Sequence, residues 1–326
     1  MDASEVEALD IVSVGELVVD FISVEQTDTL GNATTFRRHL GGSPANIAVY
    51  VSKLGDATAV VSKIDIGAFG KFLKSQLARH GVITEYLVMD HRTNTTIVFV
   101  SSPSGTPDFE EFRSGDYLLS PGEVSEEAID SARVVHSSAF ALSRAPQRLA
   151  VRRAMRLGTR LGKLVSLDPN YDPRVWPDRE EAWEVLAEVL PYVSVVKPSL
   201  EVARRLFDPN LDDDALEEVC LDAFHDLGAD AVVMTRSGGT VTVSDGTSVR
   251  RVGPLPRARV ENVTGARDAF WSALLVARLD GKGWEECVRF AHEVATLKLG
   301  VEGHVERMID RESLYERLET STGQRA

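Results

Sequence analysis

The sequence predicts an α/β protein: a parallel sheet covered by helices, with a small β lid beside it. Three observations carry this reading. Short apolar runs alternate with helical patterns along most of the chain, and strand, helix, strand in repetition implies a parallel sheet with right-handed crossovers. Several runs are near-continuous Val, Ile and Leu, as in strands covered by helices on both faces. Two stretches, Val18–Leu40 and Thr93–Tyr117, instead alternate apolar and polar residues with Gly, Pro and Ser punctuation. They read as β-hairpins away from the main sheet, able to pair into a flap over the crevice that such sheets open beyond the carboxyl ends of their strands.

In chain order, the apolar runs place strands at Ile11–Val14, Ala59–Ser62, Thr96–Val100, Val134–His136, Leu164–Leu167, Val193–Val196, Ala231–Met234 and Thr240–Val243. The helical patterns fall at Pro44–Leu54, Phe69–Arg79, Pro146–Leu161, Asp178–Leu190, Ser199–Leu206, Ala215–Leu227, Gly265–Leu279, Trp284–Leu299 and Arg311–Leu318. The polar end, Thr320–Ala326, is expected to fray. Arg148, Arg152, Arg156 and Arg160 repeat every fourth residue on one helix, and Glu180, Glu184 and Glu188 do so on the next. Like charges at that spacing repel, so either the two rows face each other or the basic face is simply solvated.

At 326 residues a prior of ~150 residues per domain allows two units. The chain reads better as one α/β unit, residues 1–326, whose lid grows from two insertions. A net charge of −14 argues against a nucleic-acid or anionic-membrane surface, but not against a small anionic substrate. Two cysteines, Cys220 and Cys287, give no disulfide framework. With no signal-like start and no apolar stretch near ~18 residues, they predict a cytoplasmic protein without a membrane span.

Three segments carry candidate chemistry. In Leu40–Leu54, Gly41-Gly42 lets backbone approach a ligand, and Ser43-Pro44 suits an N-cap and first helical position. Asn46 is then a polar amide at the crevice mouth, either a local cap or a partner for a substrate hydroxyl. In Val260–Leu275, Thr264-Gly265 precedes a helix, so the N–H groups of Gly265, Ala266 and Arg267 are its orphan donors, a place for an anion. Asp268 in that first turn either balances the helix dipole or serves as a general base. Phosphoryl transfer needs such a pair: a hydroxyl must lose its proton while the transferred charge is stabilised. Asp20, expected at the end of the first strand, is the third element. The sequence has no Walker A motif, no G-x-S-x-G elbow and no H-E-x-x-H zinc spacing.

Together these residues resemble the PfkB (ribokinase-like) carbohydrate kinases, over nearly the whole chain. GELVVDF at Gly15–Phe21, GGSPANIAVYVSKLG at Gly41–Gly55, DPNYDPRVW at Asp168–Trp176 and TGARDAF at Thr264–Phe270 fall in the family's order. The PAN sequence, the third block and Phe112-Arg113 are most similar to the fructokinase-type subgroup. The resemblance implies a Rossmann-like three-layer sandwich with a β lid, ATP as phosphoryl donor and Mg²⁺ as cofactor. It implies sugar contacts at Asp20, Gly42, Asn46, Arg113, Asp168 and Arg174, with Arg174 on either the sugar or the phosphate side. It implies nucleotide contacts at Lys197, Thr235, Ser237, Gly238, Gly239 and Thr264, and a magnesium-side acid at Glu201. Asp268 would take the proton, and Gly265, Ala266 and Arg267 would form the anion hole. Lid-to-lid homodimers are common among related folds.

The chain also departs from the family pattern. Asn262 stands where an Asp associated with a monovalent cation is usual, Val263 where a hydroxyl residue is, and Arg267 where the anion-hole Gly is. Asp65-Ile66-Gly67 exchanges the usual Gly and Asp, and Ser199-Leu200-Glu201 brings the acid one place early. Two readings of Arg267 follow. It reaches the transferred phosphate and stabilises it, or it fills the hole and blocks turnover. The expectation is an ATP-dependent kinase acting on a hydroxymethyl group of a fructose-like sugar. The alternative is an impaired relative that binds sugar or nucleotide and acts through a partner.

Overall fold

The computed structural model describes residues 8–102, 108–254, 265–301 and 303–323. In chain order the strands are β1 (Leu9–Val14), β2 (Val18–Gln26), β3 (Phe36–Gly41), β4 (Thr58–Asp65), β5 (Leu87–Asp90), β6 (Thr96–Ser102), β7 (Phe109–Phe112), β8 (Ala132–Ser138), β9 (Leu164–Asp168), β10 (Val195–Val196), β11 (Ala231–Thr235), β12 (Val241–Ser244) and β13 (Val249–Val252). The helices are α1 (Ser43–Lys53), α2 (Ala68–Arg79), α3 (Glu126–Ser131), α4 (Ala139–Leu142), α5 (Gln147–Arg160), α6 (Arg179–Val189), α7 (Leu200–Leu206), α8 (Asp213–Asp226), α9 (Ala266–Leu279), α10 (Trp284–Leu299) and α11 (Arg311–Gly323).

Among the described residues the main sheet has nine strands in the order β13-β12-β11-β10-β9-β8-β1-β4-β5. It is parallel from β11 to β5, and β12 and β13 add an antiparallel edge. Alternate side chains enter opposite layers, which is why the strand sequences are apolar throughout. Ile11, Val134 and Val233 pack with Tyr50 of α1, Trp271 of α9 and Phe290 of α10. Val12, Val135 and Val232 pack with Met155 of α5, Leu186 of α6 and Phe224 of α8. A third cluster joins Leu17, Val19 and Leu40 at the lid's base to Val49 of α1 and Leu73 of α2.

The lid is a four-stranded sheet, β3-β2-β6-β7. The two expected hairpins do pair, through parallel contact of β2 with β6. Thr96–Val100 falls in this lid, as the Thr93–Tyr117 hairpin expects. One expectation is corrected here. Asp20 does not end the first strand: β1 stops at Val14, and Asp20 is the third residue of lid strand β2. The lid edge next to the body is pinned at its root. Arg113, just past β7, is buried with Asp116, donating to it from Nε and Nη2 at 3.0 and 2.6 Å and to Ser143 Oγ at 2.6 Å.

The arginine row and the glutamate row touch at one pair, Arg152 with Glu188. Arg148 goes to the neighbouring Glu181 instead, at 2.6 Å, while Arg153 turns to Glu126. Helix α11 continues to Gly323, with Thr320 Oγ1 donating to Glu316 O at 2.9 Å, and residues 324–326 of the expected fray lie outside the described residues. Cys220 and Cys287 are buried and free. Among the described residues no helix is long and apolar enough to cross a membrane.

Candidate active site

Because β9, β10 and β11 run parallel and in step, their carboxyl ends deliver Asp168, Lys197 and Thr235 to one edge of the sheet. Lys197 Nζ meets Asp168 Oδ2 at 2.7 Å, and both side chains are buried. Helix α9 enters this edge from Gly265, its N-cap, in the left-handed conformation at φ +77°. The first turn of α9 stands between two cavities. One, about 270 Å³, is lined by Lys197, Glu201, Thr235, Ser237 and Gly239 together with Ala266 and Arg267. The other, about 30 Å³, lies under the lid and is lined by Asp20, His39, Asn46, Gly265, Lys298 and His304.

Asp268 lies half-buried between them. Its Oδ1 accepts from Ser43 Oγ at 2.8 Å and its Oδ2 from Asn46 Nδ2 at 2.7 Å. Burial pushes its carboxyl above the usual range, opposed by those two donors. Asp20 is pushed up to about 7 by burial, with the charge of Asp268 adding to the effect. Ser43 is thus not the expected N-cap. Gly42 caps α1, and Ser43 inside its first turn serves Asp268 instead.

The Gly41-Gly42 turn is set by close approach. Gly42 has φ +99°, and a Cβ there would lie 2.5 Å from Glu16 O. Glu16 braces the turn, accepting from Ser43 N at 3.0 Å and from Ser138 Oγ at 2.9 Å. Burial pushes its carboxyl up to about 8.

The remaining expected residues divide. Lys197, Thr235, Ser237, Gly239, Glu201, Ala266 and Arg267 share the larger cavity. Gly238 holds the adjoining turn at φ +84°. Asn262, Val263 and Thr264 lie outside the described residues, and the monovalent-cation expectation with them. Arg113, an expected sugar contact, is 1% exposed and bonded to Asp116 and Ser143 at the lid's root. Arg174 reaches the lid's edge strand β7: its guanidinium carbon sits 3.5 Å from the Phe109 ring centroid, and Nη1 is 3.7 Å from Asp108.

Glu201, the expected magnesium-side acid, is paired with two arginines. Its two oxygens accept from Arg205 Nη2 and Arg267 Nη2, each at 2.7 Å. Among the described residues no group of three or more His, Cys, Asp or Glu side chains is placed to hold a metal ion. Arg267 is correspondingly drawn outward, with its side chain 62% exposed. Sequence reasoning missed Phe270 and His292 at the larger cavity and His39, Lys298 and His304 at the smaller one. Only the first had a local signal, its place one turn into α9 beside Asp268.

This geometry has close counterparts. An ATP-dependent 6-phosphofructokinase of Thermoanaerobacterium thermosaccharolyticum is 30% identical over 306 residues, spanning 94% of this chain and 92% of that protein. A probable fructokinase-4 of Arabidopsis thaliana is 33% identical over 86% of each chain. The fructokinase structure of Halothermothrix orenii superposes with a TM-score of 0.75 at 35% identity, covering 91% of this chain and 100% of that one. A Pyrococcus horikoshii sugar kinase in complex with ATP superposes with a TM-score of 0.81 at 28% identity, covering 93% and 96%. The profile of the pfkB family carbohydrate kinases matches residues 8–310, and this chain belongs to that family.

Proposed function

We propose that the protein transfers the γ-phosphate of ATP to a hydroxymethyl group of a fructose-like sugar. The observation that carries the reading is the first turn of α9: Gly265 lines the cavity under the lid, Ala266 and Arg267 line the cavity at the strand ends, and Asp268 lies between. A donor on one side and an acceptor on the other would meet at a helix N-terminus, beside the Asp268 carboxylate. The relatives named fructokinase and the ATP-bound sugar kinase support the same assignment.

In this reading Asp20 and Asn46 hold sugar hydroxyls, as the resemblance implies. Asp268 takes the proton of the attacking hydroxyl. Its raised pKa keeps it a competent base. The free amides of the first turn stabilise the charge on the transferred group without reorganising. The lid excludes water, a competing acceptor. Magnesium is read as part of the nucleotide substrate, with both Glu201 oxygens already accepting from arginines. Arg267, drawn to Glu201, leaves the helix N-terminus open, which favours an active enzyme over the impaired alternative.

The test is release of ADP with magnesium ATP and a panel of fructose, fructose 6-phosphate, ribose and adenosine. Fructose is expected to give the highest kcat/KM. Preference for adenosine, or no turnover with any of them, contradicts the reading.

A further inference from the structure

Asp268 belongs to a chain of three half-buried polar side chains. Asn46 Nδ2 donates to Asp268 Oδ2 at 2.7 Å, and Asn46 Oδ1 lies 2.8 Å from His304 Nε2. The three residues come from α9, α1 and the loop between α10 and α11. An amide can face Asp268 in two ways. With Nδ2 forward it donates. Turned over, it sets a carbonyl oxygen against a carboxylate. The proton of His304 decides between them. Burial pushes the imidazole down to about 3, with His80 and Lys298 adding to the effect, so the ring is neutral and carries one N–H. With that proton on Nε2, Asn46 Oδ1 must be the acceptor, and Nδ2 is left for Asp268. The ring is held in place against Tyr50 and His80, with centroids 5.9 and 5.4 Å away.

We infer that His304 is a positioning residue for Asp268: its Nε2–H fixes the Asn46 amide and so supplies a hydrogen-bond donor to the Asp268 carboxylate. The kinetic consequence rests on the reading of Asp268 as the base; the hydrogen-bond relationship does not. The other groups facing this chain are Asp20, His39, Tyr50 and Lys298 in the small cavity, His80 and Lys53 behind His304, and Asp168 and Lys197 beyond Asp268. His304→Phe keeps a ring in the packing and removes the donor, and His304→Leu serves the same purpose if the phenylalanine variant does not fold. His304→Gln restores an N–H.

The experiment is a carboxyl carbon-13 NMR titration of the full chain labelled at aspartate, with Asp268 assigned through Asp268→Asn. Losing a hydrogen bond to a charged group moves the Asp268 midpoint up by about one pH unit in His304→Phe, and His304→Gln returns most of that shift. The acid limb of kcat/KM for fructose moves up with it. An Asp268 midpoint unchanged in a folded donor-less variant overturns the inference. A midpoint that moves while no form phosphorylates fructose upholds the positioning role and removes the kinase reading instead.

Discussion

Arg267 and Glu201 meet at 2.7 Å at the rim of the cavity that takes the nucleotide in our reading. The pair begins a run of contacts: Glu201 to Arg205 at 2.7 Å, Arg205 to Asp172 at 2.8 Å, and Asp172 to Arg174, which grips the lid at Phe109. A long cation in place of a glycine is therefore accommodated by turning it toward an acid.

That arrangement predicts opposite effects of the two partners. An exposed ion pair is worth no more than about 1 kcal/mol, so Glu201→Gln frees Arg267 at little structural cost. It is expected to lower the KM for ATP a few-fold. Arg267→Gly removes a cation beside the triphosphate and is expected to raise that KM about tenfold, the equivalent of ~1.4 kcal/mol, with kcat changed less than about threefold. Steady-state kinetics at saturating sugar check both. A raised magnesium requirement in Glu201→Gln would instead make Glu201 a metal ligand.

Arg113 is expected to matter for folding rather than for sugar affinity. Its pair with Asp116 is buried on both sides, at 1% and 0% exposure. Arg113→Met leaves an uncompensated buried carboxylate and should cost about 3–5 kcal/mol in urea unfolding. Unchanged stability with a sharply raised KM for the sugar would return Arg113 to the substrate site.

Glu16 predicts a pH dependence of stability. Its carboxyl rises from 4.5 to about 8 on folding, chiefly by burial, so the folded state binds the extra proton between those values. Stability is therefore fully present below about 4.5 and falls as pH rises through about 8, by up to ~1.4 kcal/mol per unit from this one group. Glu16→Gln mimics the protonated form, can still accept from Ser43 N, and should flatten that slope in thermal unfolding between about pH 5 and pH 9.

Much of the fold is legible because burial on both faces writes uninterrupted apolar runs such as Ala59–Ser62 and Ala231–Met234. β5 and β13 are not legible: they are short edge strands, and Val249, Arg250 and Arg251 are exposed. Asp20 reads as part of the first strand because past Val14 only Gly15 and Glu16 break a run that crosses from β1 into the lid. In the site, the first turn of α9 shows in sequence as Gly265-Ala266-Arg267-Asp268. His304 does not, since it reaches Asn46 across 258 residues from a loop with no periodic pattern. The outward turn of Arg267 likewise depends on Glu201, an acid on another helix.

The central claim is that Asp268 is the base. The most direct measurement is kcat for Asp268→Asn with fructose and magnesium ATP, alongside calorimetric binding of a non-hydrolysable ATP analogue. Removing a positioned general base predicts a fall in kcat of about 10²–10⁴-fold, with nucleotide affinity within about threefold of the parent. A kcat close to that of the parent in a folded Asp268→Asn protein would contradict the account.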